Sequence, residues 1–529
     1  MSDAPRTPPA PGPLTPAGSQ LPVRRHRVAG GVSRGPIILI LAALLLVGGL
    51  VDRAGGDRAR TASAAASAAA SGEVPVAAPA RALSSSWFCA GATDTGGGRA
   101  PGSVIVANSG IGKATGVVTL VPTSGAAVKV PISIPGDSRQ AIPENVPGGS
   151  NWIGAIVDVD AGAVSVEQAI SGPGGLVATP CATSGSARWY FTYGQTLVNA
   201  GEEISLLNPY PADSVVDLSF TTDQGVEFPV GFQGIVVPPG GLVSVNLGDH
   251  LRRRQQVATT VIARTGRVVA WETRWVDPPP AGAAIVGTPA AQNPLADPAA
   301  PVPGTTLVLG APSAGTRWVW PDGNAGNGIS EQYVVYNPGD QTAEVRLSIG
   351  LDQGVAEPFE LAVPPGQVIP VASDQQARIP AGVAHSAELD SLNGVPVVAG
   401  RVVAATSPSA QRGLGDMFGE RIASERWLLG AAGADPAHDG WVVVYNPGND
   451  PLRVAVSALS AGAQISIPGL NPVTVFPGHR VAIHLNPVRA TLDEALVVSS
   501  TEPFFVELNI FGTGGTPGIS LEPGVPLTG

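Results

Sequence analysis

The sequence is poor in the residues that carry most enzyme chemistry. Among 529 residues there are two cysteines, Cys89 and Cys181, two lysines, Lys113 and Lys129, and six histidines. Two Cys with no His close by cannot build a tetrahedral zinc site. The histidines, His26, His250, His385, His438, His479 and His484, are scattered along the chain. His479 and His484 share one apolar run, but five residues apart on a strand they face opposite sides. No metal site, cofactor or catalytic residue is therefore expected. Basic charge is short as well. The net charge is −11, and residues 1–35 hold five Arg against one Asp, +4, which leaves −15 for everything after them. A chain so acidic has no electrostatic footing on nucleic acid.

What is abundant points to β-structure. The 68 Gly and 52 Pro, set among many Val and Ala, break helices often and suit short strands between turns. A chain of 529 residues also exceeds the roughly 250 to 300 that one core supports, so several domains are expected.

The N-terminal part has its own organisation. Residues 1–35 read as a disordered basic cytoplasmic tail. Pro36–Val51, PIILILAALLLVGGLV, is a run of sixteen residues without a charge, preceded by Arg24, Arg25, Arg27 and Arg34. That asymmetry predicts a transmembrane or signal-anchor helix over 36–51, N-terminus inside and C-terminal region outside. A cleaved signal peptide, giving a secreted protein, is the alternative. Residues 52–82 are an Ala/Ser-rich tether.

Internal repetition is the strongest signal. Arg-Trp occurs at Trp189, Trp318 and Trp427, and nineteen residues after each Trp stands an Asn-Pro, at Asn208, Asn337 and Asn446. A diverged first copy runs from Trp87 to Asn108, with a spacing of 21 and Ser in place of Pro. Alternating runs and turns recur within each unit of about 90 to 100 residues. The expected fold is therefore all-β, with tandem immunoglobulin-like β-sandwich repeats over 83–185, 186–275, 307–405 and 406–529. A Pro/Ala-rich linker over 276–306 is read as a hinge between the second and third. The alternative is a β-propeller of eight blades, two per unit, around a channel. The recurrent Trp is expected to anchor the core and the Asn-Pro to end a strand. Cys89 and Cys181 open and close the first unit and are read as a disulfide, a sign of an oxidising compartment.

The remaining chemical candidates have plainer readings. Gly31–Gly35 matches GxSxG without a strand-turn-helix context. Asp158–Gly162 lacks the ligands of a calcium loop and reads as a turn. Glu167, Glu272 and Glu507, with Arg401 in the third unit, are read as matching positions on a solvated strand face; one acid per domain is not expected to converge as a glycosidase pair. Arg252, Arg253 and Arg254 are read as capping a loop. Trp152, Trp271, Trp275, Trp320 and Trp441 lie outside the repeated position and are candidates for stacking on sugars.

The whole arrangement, a basic tail, one membrane segment, an Ala-rich tether and Arg-Trp/Asn-Pro repeats over residues 87 to 512, resembles an actinobacterial family of unknown function. That resemblance implies an envelope protein encoded near polysaccharide glycosyltransferases. It supplies no catalytic residues. The expected function is a non-catalytic scaffold or adaptor outside the membrane, with a carbohydrate-binding accessory of cell-wall polysaccharide assembly or export as the alternative. The expected partners are the membrane, through 36–51, and an envelope protein or polysaccharide.

Overall fold

The computed structural model describes residues 74–95, 98–278, 295, 301–354, 356–431, 437–460, 462–488 and 494–528. The tail, the 36–51 segment, most of the tether and Gly31–Gly35 lie outside them. Among the described residues there is no α-helix, and no helix long and apolar enough to cross a membrane.

The first repeat contains β1 (Ser85–Ala92), β2 (Gly102–Asn108), β3 (Ala114–Pro122), β4 (Val128–Ile134), β5 (Ser138–Pro143), β6 (Ile153–Val159), β7 (Val164–Gly172) and β8 (Gly175–Pro180). They form two four-stranded antiparallel sheets, β1-β6-β3-β4 and β5-β2-β7-β8.

The second repeat follows the same plan. Its strands are β9 (Arg188–Phe191), β10 (Ala200–Leu207), β11 (Ser214–Thr222), β12 (Gly225–Glu227), β13 (Ile235–Val237), β14 (Leu242–Asn246), β15 (Val257–Thr265), β16 (Val269–Val276) and β17 (Gly304–Leu309). The third has β18 (Arg317–Trp320), β19 (Ile329–Asn337), β20 (Ala343–Leu351), β21 (Phe359–Val363), β22 (Gln367–Ala372), β23 (His385–Ser391), β24 (Val398–Ala405) and β25 (Gly413–Phe418). The fourth has β26 (Ser424–Leu429), β27 (His438–Tyr445), β28 (Leu452–Ser460), β29 (Ala463–Ser466), β30 (Val473–Val475), β31 (Arg480–His484), β32 (Ala495–Gly512), β33 (Ile519–Pro523) and β34 (Val525–Pro526). The second sheets are β14-β10-β16-β17, β22-β19-β24-β25 and β31-β27-β32-β33. The 18-residue β32 serves both sheets of its repeat, pairing with β28 through its first half and β27 through its second.

Burial separates the sheets. In the first kind, strands such as β11, β20 and β28 alternate, as in β20, AEVRLSIGL, where every second side chain is buried, so one face meets water there. In the second kind both faces are covered: all eight residues of β24, VAGRVVAA, are buried. A sheet covered on both sides loses the period-two signal and reads as a continuous apolar run. The second cover is the neighbouring repeat, for the last strands touch in a closed cycle, β8 to β17, β17 to β25, β25 to β33 and β33 back to β8.

Glycines permit the closest approaches. A Cβ on Gly174 would stand 2.6 Å from the Thr305 amide nitrogen, one on Gly304 2.6 Å from that of Leu414, one on Gly413 3.0 Å from that of Gly518, and one on Gly518 3.0 Å from that of Leu176. Ala77 completes the closure: its N–H donates to Pro526 O (3.0 Å), and Thr528 donates to its carbonyl (3.0 Å).

These pairings correct the assigned boundaries. Because β17 pairs with β16, the segment expected over 276–306 connects two adjacent strands of one sheet of the second repeat, its ends belonging to those strands, and is not a hinge between repeats. Likewise β25 pairs with β24, so the third repeat closes beyond residue 405. The eight-bladed ring is not observed either: the cycle of contacts runs through one strand per repeat, β8, β17, β25 and β33.

The repeated residues share one geometry. Asn208 donates to Ala212 O (2.7 Å) and Val237 O (3.0 Å), while its Oδ1 accepts from Tyr210 N–H (3.1 Å). Asn337 does the same with Gln341 O, Val363 O and Gly339 N–H, and Asn446 with Asp450 O, Val475 O and Gly448 N–H. Asn108, where Ser replaces Pro, keeps the arrangement with Gly112 O, Pro135 O and Gly110 N–H. The Asn thus stitches a turn to a crossing segment, which Pro is not needed for. Trp189, Trp318 and Trp427 are buried, and each indole N–H donates across its repeat, to Val268 O (2.7 Å), Val397 O (3.0 Å) and Phe504 O (3.0 Å). Trp87 is equally buried, without an acceptor among the described residues. In its repeat Cys89 and Cys181 form a disulfide.

Asn446→Ala removes two donors and one acceptor and leaves buried carbonyls unpaired, a cost of about 3 kcal/mol. Urea unfolding should record it, whereas Pro447→Ala should cost under about 1 kcal/mol. Equal effects would reverse the assignment of the motif's strength to Asn.

Candidate functional site

Three places concentrate polar or aromatic groups: the seams between repeats, the ends of the last strands, and a groove between the first and second repeats.

The seams hold the acids expected on a solvated face. Glu167, Glu272, Arg401 and Glu507 are at most 1% exposed, which corrects that expectation. The neighbouring repeat covers the face that would be wet in an isolated sandwich. Their positions also fall into two registers. Glu167 and Glu507 lie opposite Ile105 and Val443, three residues before the recurrent Asn of their repeats; Glu272 and Arg401 lie opposite Ile204 and Tyr333, four before theirs.

Glu167, Glu272 and Glu507 do not meet one another; each finds a different partner near a seam. Between the third and fourth repeats, Arg401 Nη2 meets Glu507 Oε1 at 2.5 Å. Asp322 caps the same carboxylate with its N–H (3.3 Å), accepts from Asn509 (2.7 Å) and pairs with Arg480. Burial raises the Glu507 carboxyl to about 7 against the pull of Arg401. Beside it His385 Nε2 lies 3.3 Å from Glu331 Oε1 and 3.2 Å from the Tyr333 hydroxyl. Burial by itself lowers the His385 pKa, but Glu331 outweighs it and the result is raised.

Between the second and third repeats, Arg274 meets Asp416 (3.0 Å) and lies over the Tyr193 ring (4.5 Å). Burial lifts Asp416 to about 6, with Arg274 opposing. Glu202 and Glu272 lie together, and burial raises Glu202 to about 8. Between the fourth and first, Glu167 accepts from Gly430 N–H (2.6 Å) and lies beside Glu522, burial raising both. Inside the first repeat, Gln168 donates to both oxygens of Glu144 (2.9 Å each), which burial lifts to about 8. Neighbouring buried carboxyls each disfavour ionisation of the other. These pairs resemble glycosidase acids in composition only, for they are sealed from any substrate.

Near the ends of the last strands lies a half-open cavity of about 110 Å³. Its wall includes Trp189, Trp318 and Trp427, with Pro180, Leu309 and Phe418. Three of the four repeat tryptophans therefore share one apolar chamber, which nothing in their spacing announces.

The third place is a groove of about 1060 Å³ between the first and second repeats, lined by Asp94, Arg99, Trp152, Glu203, Asn246 and Trp275 among others. Of the five additional tryptophans, Trp271 and Trp320 are fully buried core residues. Trp152 and Trp275 meet here, centroids 6.4 Å apart. Trp441 stacks instead on His484 at 4.2 Å, both bonded to Asp439. Arg254 pairs with Glu227 at 2.6 Å, and Asp158 accepts from Ser86 at 2.6 Å at the end of β6. Among the described residues no three His, Cys, Asp or Glu side chains stand together as metal ligands.

A family model described as "Family of unknown function (DUF5719)" matches residues 148–417. No curated protein matches the chain. Thermotoga maritima 1070 is similar over 20% of this chain and 95% of its own, at 23% identity and a TM-score of 0.19. Streptomyces avermitilis α-L-rhamnosidase, complexed with L-rhamnose, is similar over 77% of this chain and 54% of its own, at 9% identity and TM-score 0.11. Salmonella α-2-macroglobulin, reacted with methylamine, is similar over 81% and 28%, at 12% identity and TM-score 0.12. Overlaps at such TM-scores carry no functional argument.

The raised acids fix the sign of the pH dependence. A native state that holds protons the unfolded chain releases above pH 4.5 is most stable at low pH within this range. Its stability falls as pH rises through the folded values near 8, by about 1.4 kcal/mol per pH unit for each proton retained. The midpoint of thermal unfolding should therefore drop between pH 5 and pH 9, and Glu144→Gln should flatten that drop. A profile that rises toward pH 9 would contradict the buried neutral acids.

Proposed function

The chain belongs to the family of unknown function DUF5719, and we propose that it is a non-catalytic scaffold or adaptor of the cell envelope, displayed outside the membrane. The observation that carries this reading is the closed cycle of last strands. Closure turns four repeats into one platform whose flanks and seams are consumed by contact with each other, leaving the outer sheets and loops as the presenting surface. Support for export comes from the Cys89–Cys181 disulfide, a bond that persists in oxidising compartments. The seam acids support a structural use of charge, since each lies in contact with a neighbouring repeat rather than in an open cleft.

On this reading residues 36–51 cross the membrane with the N-terminus cytoplasmic, residues 52–82 form the tether, and the four repeats are tandem immunoglobulin-like sandwiches. The resemblance to an actinobacterial family encoded beside polysaccharide glycosyltransferases gives the partner class, an envelope protein or polysaccharide.

Alkaline phosphatase fused after Ala82 should be active, and fused after Gly35 inactive. An inactive Ala82 fusion would refute export and the envelope role with it.

A further inference from the structure

We propose that the groove between the first and second repeats is a binding site for a neutral, hydroxyl-rich saccharide. The inference goes beyond the scaffold reading and stands on the groove alone.

This seam differs in kind from two of the others. The Arg274–Asp416 and Arg401–Glu507 pairs are at most 7% exposed, whereas Arg99–Asp277, bridging the first and second repeats, is 45% exposed on both sides. Here the repeats part to leave about 1060 Å³, at the upper end of the roughly 300 to 1,000 Å³ usual for ligand sites. That room suits a short oligosaccharide better than a single sugar.

Its walls are built in advance. Glu203 is 6% exposed and held by two donors, Ser244 Oγ and Asn246 Nδ2, the latter at 3.3 Å. Asn246 is fixed in turn, accepting from Gly248 N–H at 3.0 Å. Asp94 accepts from Val146 N–H at 2.9 Å on the facing wall. The anchored Glu203 carboxylate keeps lone pairs for further donors, and an acceptor already oriented costs no side-chain ordering on binding. Paired hydroxyls are the donors that such acceptors fit.

The aromatic wall supplies the second half of sugar recognition. Trp275 lies on the backbone of Gly201, where a Cβ would stand 2.1 Å from the indole, and Trp152 adjoins it. The outer face of Trp275 is covered by the Arg99 guanidinium, 4.9 Å from the ring centroid. The ion pair holding Arg99 there is half exposed, a kind worth at most about 1 kcal/mol. A sugar ring can therefore take the place of Arg99 on the indole, presenting its C–H face to the ring and its hydroxyls to Glu203, Asn246 and the displaced guanidinium. Charge selects the class: Asp94, Glu203 and Asp277 against Arg99 leave the groove negative, which disfavours acidic sugars.

The test is titration of the full-length chain with neutral tri- to pentasaccharides of glucose, mannose, galactose and arabinose, followed by tryptophan fluorescence and calorimetry. At least one series should bind. Glu203→Gln and Trp275→Ala should each weaken it about tenfold or more, with Trp152→Phe as the milder variant should Trp275→Ala fail to fold. Asp277→Ala should tighten binding severalfold by freeing Arg99, a gain that a merely structural role would not give. No binding at millimolar concentrations, binding indifferent to Glu203→Gln and to both tryptophan variants, or stronger binding of tetra-arginine or of a uronic-acid oligomer than of any neutral sugar would overturn the proposal.

Discussion

Gly174, Gly304, Gly413 and Gly518 stand in a cycle, each in the space a side chain would need against the next repeat. Backbone meets backbone at these four points, so the last strands β8, β17, β25 and β33 can approach one another. Gly413 and Gly518 also have φ of +121° and +134°, in the region where a side chain is strained. Everything inside the ring follows from this approach: an inner sheet can lean on its neighbour only if its edge strand comes close.

The closure explains where charge is spent. An inner sheet pressed between its own partner sheet and the next repeat has no wet face, so any polar residue on it is desolvated. Burying a charge is costly unless it is matched, and removing one member of a matched pair costs more than the pair contributes. Distinct solutions appear at the seams: a guanidinium on a carboxylate at Arg401–Glu507 and Arg274–Asp416, and adjacent carboxyls raised by burial at Glu167–Glu522. Because the solutions differ, the seams are not interchangeable, and the order of repeats around the ring is specified. The first and second repeats share one hydrophobic core, with β1 packed on β16, and the groove opens beside that packing.

How much of this could be read from the sequence depended on whether a feature was local. The Trp-to-Asn interval was legible because each repeat needs the same indole and the same amide at fixed distance from its own strands, whoever its neighbours are. The all-β class followed from composition for the same reason. The seams were illegible. Glu272 and Glu507 look like outward strand residues in a single repeat, and only the adjacent repeat makes them interior. The Pro/Ala-rich segment before Gly304 looked like a linker because strand β17 after it is short and its partner, β16, lies on the other side of the insertion. The groove residues were half visible: Trp152 and Trp275 stood out as extra aromatics, but Glu203 and Asn246 acquire meaning only when β10 and β14 pair and the first repeat faces them.

The central claim is that the first and fourth repeats touch through their last strands. In the closed form the Ala178 N–H donates to Ser520 Oγ at 2.9 Å across 342 residues of sequence. The double variant Ala178→Cys/Ser520→Cys, oxidised as a monomer and read by peptide mass spectrometry, tests this contact directly. A 178–520 disulfide formed within one chain is the predicted result; two free thiols in folded protein, or cross-links found only between chains, would show that the repeats run as an open string.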